Sequence, residues 1–329
     1  MRFRTELELP ASPWPISHAT RIALFGSCFS ARIADQLRAH KFPVIANPFG
    51  ILYHPVPLLA PLVHALRGEN PYAQDSVRQG ESHRHLAFHS QLQADSAEAL
   101  RAQITAAMAA TRSALLAADV VVITLGSAIG YRWAADDKWV GNCHGLPGKL
   151  FRKEMATQAE ITRALDDFID TLQACNPAAR VLLTVSPVRH IRHGMLDDSL
   201  GKALLRVACQ DACARHAHVG YFPAFELLQD DLRDYRFYAV DMAHPSEQAV
   251  QYIWEKFAGC YFSADTQQLN GRIASLLRDL AHRPQAGGST AYRQHLLAAQ
   301  DKARALQAHI DLQAELVDIS ARLRALGEG

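Results

Sequence analysis

An α/β three-layer sandwich with a mostly parallel sheet, followed by a helical C-terminal extension, is the fold this sequence predicts. Three observations carry that expectation. Residues 22–25 (IALF), 119–125 (DVVVITL) and 181–185 (VLLTV) are near-continuous apolar runs, the pattern of strands buried on both faces of a parallel sheet. Stretches with helical spacing lie between them, so strand and helix alternate from 21 to 262. Beyond 262 the strand pattern stops and only helical periodicity remains.

The chain has 329 residues, 49% of them hydrophobic, enough for one large domain over 1–265 with a helical appendage over 266–329. Thirty-four basic and 33 acidic side chains leave a formal charge of +1, which argues against a nucleic-acid groove or a polybasic membrane patch as the main business. The six cysteines, at 28, 143, 175, 209, 213 and 260, form no CxxC pair and read as free thiols in a reducing compartment. The opening MRFRTELELP lacks an apolar leader segment, and no run approaches the ~20 apolar residues of a membrane span. A cytoplasmic protein without cofactor or metal is expected.

Taken in order, residues 1–20 are proline-rich and irregular. The strand at 22–25 runs through Gly26-Ser27-Cys28 into a helix over 29–40, with Phe29, Ile33, Leu37 and His40 at helical spacing. Pro48, Pro55 and Pro57 exclude a long helix over 42–57, and Gly50 permits a close backbone approach there. Residues 57–66 turn helical. His83, His85 and His89 follow the spacing H-x-H-x3-H, which matches no common zinc pattern, and 84–88 reads better as a short exposed strand. A helix over 95–118 leads into the second buried strand, which ends at Gly126-Ser127-Ala128. A hairpin is expected over 131–140, followed at once by Gly141-Asn142-Cys143-His144-Gly145.

The helix over 157–175 opens with a capping box, Thr157 and Glu160, and stops at Asn176-Pro177. The third buried strand ends in Ser186-Pro187-Val188-Arg189-His190. Helices follow over 196–217 and 246–262, with a short strand at 221–223, a helical turn over 226–234 and Pro245 at a first helical position. The extension reads as a helix over 266–282, a linker over 284–289 and one long amphipathic helix over 291–326. In it Leu312, Leu316, Ile319, Leu323 and Leu326 form a 4-3-4-3 seam that fits either a coiled coil between copies or a helix folded back on its own chain.

Polar or glycine-rich residues sit at every strand end, where open parallel sheets place their reactive groups. Asp241-x-x-His244 stands at a loop-to-helix junction, where the carboxylate can reach imidazole Nδ1 and leave Nε2 to face a serine. A serine hydroxyl needs such a base, and the base needs a carboxylate to fix its tautomer. A glycine–serine pair after a strand is equally a turn with a serine helix cap.

Gly26-Ser27-Cys28-Phe29-Ser30 resembles the motif of the GSCFA branch of the SGNH/GDSL hydrolase superfamily. So do NPFGILYHP (47–55), TLGSA (124–128), NCHGLP (142–147), TVSPVRH (184–190) and DMAHPS (241–246), in the same order. The resemblance implies an SGNH-like domain with Ser27 as nucleophile, His244 as base, Asp241 as orienting acid and Gly50 as an oxyanion donor beside the Ser27 amide. It sets the serine toward the site and Cys28 against the sheet. The superfamily's usual third-block asparagine is missing, Ser127-Ala128 standing there, and Asn142 is the candidate replacement. Its other reading is a turn asparagine. His144, Arg189 and His190 are candidates for binding an acyl or sugar substrate, or are loop residues. The expected activity is hydrolysis of a small ester, such as an O-acetyl group on a carbohydrate, through a seryl-acyl intermediate. Acyl transfer to another hydroxyl is the alternative. A non-catalytic scaffold working, or a homo-oligomer assembling, through the C-terminal helix also stays open.

Overall fold

A computed structural model describes residues 4–282 and 290–326. The linker expected over 284–289 lies outside them. In chain order the strands are β1 (Ile22–Gly26), β2 (Val44–Ala46), β3 (Val77–Gln79), β4 (Ser82–Arg84), β5 (Gln93–Ala94), β6 (Val120–Leu125), β7 (Ile129–Trp133), β8 (Trp139–Val140), β9 (Phe151–Met155), β10 (Arg180–Val185) and β11 (Val219–Tyr221). The helices are α1 (Cys28–Ala39), α2 (Pro55–Arg67), α3 (Ala97–Ala117), α4 (Gln158–Cys175), α5 (Met195–Arg215), α6 (Ala224–Glu226), α7 (Glu247–Tyr261), α8 (Ala264–Ala281), α9 (Thr290–Leu306) and α10 (Gln313–Ala325).

Five strands form one parallel sheet in the order β11-β10-β6-β1-β2. The three long apolar runs of the sequence are its centre, and β1 and β6 are buried at every position. Ala23, Phe25, Val121, Ile123, Val181 and Leu183 belong to one core with α2, α3, α4 and α5. The alternate residues Ile22, Leu24, Val120, Val122 and Leu182 are equally buried, so both faces of the sheet are covered, as in a three-layer α/β sandwich. From β1 the chain winds outward to β2, and from β6 it winds the other way to β10 and β11. The winding therefore reverses between β1 and β6, and the carboxyl ends of these two strands flank the crevice where such sheets bind ligands.

The capping box of α4 is formed in full, Thr157 and Glu160 each accepting the other's backbone N–H. The hairpin gains an unforeseen third strand, β9, antiparallel to β7. The strand expected over 84–88 is corrected: β4 ends at Arg84, and residues beyond it turn so that Phe88 enters the core instead of solvent. Pro245 is corrected too. It bridges to Tyr238 outside α7, and Ser246 accepts the Ala249 N–H at the helix start.

Two compact units emerge. One comprises 1–9, 21–35 and 44–257, with the sheet; the other 10–20, 36–43 and 258–329. The second unit thus begins earlier than 266 and includes two N-terminal pieces. Its long helix is corrected into two, α9 and α10, separated by a turn. Leu312 and Ile319 of the seam are fully buried in a cluster with Ile273 and Leu276 of α8 and Leu296 and Ala303 of α9. An apolar stripe on a straight rod would have stayed in water, and the turn lets the chain cover it with its own helices. No helix of the described residues is long and apolar enough to cross a membrane.

Candidate active site

The turn after β1 is fixed by backbone. Gly26 has φ +140°, and a Cβ there would lie 2.2 Å from the Thr124 carbonyl oxygen, so only glycine fits. Its N–H donates to Asn47 Oδ1 at 2.9 Å, and the Ser27 N–H donates to the Thr124 carbonyl at 3.1 Å. This ties β1 to its neighbours just before α1 begins at Cys28. The Ser30 N–H bonds the Ser27 carbonyl at 2.9 Å, and at the start of a helix the first amides have no carbonyl from a preceding turn.

Across from this turn, Asp241 organises the loop before α7. Its Oδ1 accepts the N–H groups of Ala243 and His244, both at 3.0 Å, and its Oδ2 lies 2.6 Å from His244 Nδ1. Those backbone donors, more than the imidazole, hold its carboxyl down at about 2. With an ionised carboxylate on Nδ1, that nitrogen carries the proton and Nε2 is the free acceptor. The loop is braced twice more, by the Ala239 N–H on the His244 carbonyl (2.7 Å) and the Arg189 N–H on the Ala243 carbonyl (3.0 Å).

His244 Nε2 stands 3.6 Å from Cys28 Sγ. The Cys28 thiol is thus in contact with the histidine, while Ser27 is 2% exposed with an Oγ that has no hydrogen-bond partner. Ser27 is the bend between β1 and α1, and Cys28 is the first residue of the helix. Nor does Ser27 cap the helix, since its Oγ accepts nothing. Burial pushes the Cys28 thiol above its ordinary value, against the downward pull of the Cys28 and Phe29 amides and of Lys202. The thiol is therefore mostly protonated at neutral pH, and a nucleophilic role for it would require a base.

Of the other expected site residues, His190 lies beside Gly126, across from Ser27. A Cβ on Gly126 would sit 3.3 Å from Ser27 Cβ and 3.5 Å from His190 Nε2, and the His190 ring lies tilted against Tyr53 with centroids 4.7 Å apart. Burial pushes its imidazole down to about 3, so it is neutral. The remaining expected residues are held as follows. The Gly50 N–H is spent on the Asn47 carbonyl (2.8 Å), and its φ of +75° and the 2.4 Å from its Cβ position to His89 Cβ explain the glycine instead. Asn142 closes a turn, its Oδ1 accepting the His144 N–H at 2.8 Å. His144 is 3% exposed and bonds through Nε2 to the His85 carbonyl at 2.9 Å, in the histidine turn after β4. The Arg189 guanidinium is largely buried and bonded to Asp198, Ser199 and Gln229.

Two groups escaped the sequence reading. Tyr53 packs beside Gly126, accepts the Gly126 N–H on its carbonyl (2.7 Å) and accepts a bond from Arg192 on its hydroxyl (3.1 Å). Lys202 is 2% exposed on α5 and donates to the carbonyls of Gly126 (2.6 Å) and Ser186 (2.7 Å). Asp198 and Lys202, four apart within a stripe that also holds Leu205, Cys209 and Ala212, were the visible signal: charged residues on the buried face of a helix.

Known proteins bear on this chain in three ways. The model of the "GSCFA family" matches residues 21–257, and that of the "GSCFA domain protein, C-terminal domain" matches 273–325. No curated protein matches. Among solved structures, one from Streptococcus pneumonia described as a "putative platelet activating factor" is 11% identical, with a TM-score of 0.37, over 72% of this chain and 83% of its own. The first family match spans the sheet, the Gly26–Ser30 pentapeptide and the Asp241–His244 loop together, and the chain belongs to the GSCFA family.

Proposed function

We propose that the chain is an acyl-transferring enzyme of ester substrates in which Cys28, His244 and Asp241 act as nucleophile, base and orienting acid. The single observation that carries this reading is the 3.6 Å approach of His244 Nε2 to Cys28 Sγ, with Nδ1 held by Asp241 at 2.6 Å. It departs from the serine assignment because the Ser27 hydroxyl is buried and out of bonding contact with His244.

The chemistry follows from those contacts. As sulfur attacks the ester carbonyl carbon, His244 Nε2 takes the thiol proton and Asp241 stabilises the resulting imidazolium. The carbonyl electrons move to oxygen, and the amides at the start of α1 are the nearest backbone donors for that charge. Collapse expels the alkoxide, which His244 protonates, and leaves a thioester on Cys28. Water, deprotonated by His244, then releases the acid, or a second hydroxyl takes the acyl group instead. A small acyl ester, such as an O-acetylated carbohydrate, is the substrate class proposed.

The test is p-nitrophenyl acetate turnover by Cys28→Ala and Ser27→Ala, joined to mass spectrometry after iodoacetamide or fluorophosphonate. Loss of turnover in Cys28→Ala alone, with alkylation at Cys28, is expected. Fluorophosphonate on Ser27, with turnover lost in Ser27→Ala, would restore the serine mechanism. Turnover equal in both variants and the parent would leave a scaffold.

A further inference from the structure

We propose that Lys202 is a positioning residue of this site: its buried ammonium clamps the carboxyl ends of β6 and β10 beside the nucleophile turn and offers positive charge to the sulfur as it ionises. The proposal rests on Cys28 being the reactive thiol.

The geometry is specific. Lys202 projects from α5 and is 2% exposed, yet its Nζ reaches the carbonyl oxygens of Gly126 and Ser186, the residues that follow β6 and β10. A Cβ on Gly126 would lie 3.3 Å from Ser27 Cβ, so the clamp sits beside the residue that precedes Cys28. An ammonium has three hydrogens and these carbonyls use two. A buried charge of that kind is costly unless something needs it. A hydrogen-bonded amide would hold two carbonyls without the charge, so the clamp alone does not account for a lysine.

The titratable groups around the two are Asp198, Arg189 and the neutral His190 on the Lys202 side, and Asp241 and His244 on the Cys28 side. Asp198 raises the affinity of Lys202 for its proton and Arg189 lowers it, the two being paired with each other, while the Phe225 ring lies 5.6 Å from Nζ. Cys28 feels Lys202 as a stabiliser of the thiolate and Asp241 as the opposing charge, with His244 in contact. Burial brings the Lys202 ammonium down to about 7, with the same sign of coupling to Cys28 seen from its side. Its help to the sulfur is therefore present below that pH and fades as the proton is lost above it.

That pH signature separates an electrostatic role from a merely structural one. The experiment is the second-order rate of Cys28 alkylation by iodoacetamide from pH 5.5 to 9.5, in the parent, Lys202→Met and Lys202→Gln, the last keeping donors without charge. It requires no turnover, so it can fail or succeed independently of the ester chemistry. Expected is a parent-to-variant rate ratio of roughly ten below pH 7, falling toward one above pH 8.5, in both variants. A ratio that does not change with pH, in variants that melt cooperatively, overturns the proposal. If neither variant folds, the Lys202 13Cε resonance is titrated in the parent and in Cys28→Asp, which fixes a negative charge at the site. A raised Lys202 midpoint supports the proposal and an unmoved one overturns it.

Discussion

Gly26-Ser27-Cys28 and Gly126-Ser127-Ala128 look alike in sequence and lie at the ends of neighbouring strands of the same sheet, yet the fold gives their side chains different surroundings. After β1 the chain enters a helix, the Ser27 hydroxyl is buried without a bond and the Cys28 thiol meets His244. After β6 it enters another strand, and Ser127 Oγ spends itself on the Ile129 N–H at 3.0 Å. The glycines differ as well. Gly26 is required by its φ and by backbone 2.2 Å away, whereas Gly126 is required by the Tyr53 side chain at 2.7 Å. A glycine–serine pair at a strand end is thus neither catalytic nor structural by itself, and the element that follows decides.

Four experiments break or sharpen that comparison. The largest effect belongs to the histidine and its acid. His244→Ala should lower kcat by roughly 10²–10⁴-fold on p-nitrophenyl acetate, the usual weight of a general base. Asp241→Asn should match it within about tenfold, by releasing the Nδ1–H tautomer. Because Asp241 is held down at about 2, its bonds persist above the ordinary carboxylate range and weaken only as pH falls toward 2. A pH–rate profile whose acid limb, assigned to Asp241 by its absence in Asp241→Asn, centres above pH 5 would contradict this.

Next come the glycines. Gly26→Ala meets a backbone oxygen that cannot move away and should cost more than about 3 kcal/mol or abolish folding, while Gly126→Ala, facing a side chain, should cost about 1–3 kcal/mol. Urea denaturation ranks them, and equal costs would remove the distinction drawn between the two turns. In the helical unit, Ile319→Ala should cost about 2–4 kcal/mol because that side chain is wholly buried. A loss below 1 kcal/mol would mean the seam is covered by something other than α8 and α9. The smallest effects separate the two serines. Ser127→Ala leaves the Ile129 N–H unbonded and should cost about 1–2 kcal/mol, whereas Ser27→Ala removes a hydroxyl that bonds nothing and should stay within about 0.5 kcal/mol and threefold in rate. A Ser27→Ala variant with no turnover would reverse the assignment of the two neighbours.

Much of the architecture was legible because parallel strands buried on both faces leave unbroken apolar runs, and β1, β6 and β10 stand where those runs stand. The Asp241–His244 pair was legible for a local reason: three residues suffice to bring the carboxylate onto Nδ1. The break between α9 and α10 was not, since no proline or glycine marks it. It arises because Ile310, Leu312 and Ile319 find partners on helices distant in sequence. Lys202 was missed for the same reason, because its acceptors lie 76 and 16 residues away.

The sequence by itself determined which segments become buried strands, which helices separate them, and that an acid and a base share one loop. These follow from periodicity and short spacing, which act within a few residues. Only the tertiary structure decided which of two adjacent side chains meets that base, and which lysine is buried behind it. Those outcomes depend on the rotation of a helix about its axis and on strand ends brought together from distant parts of the chain, and neither quantity is written in any local run of residues.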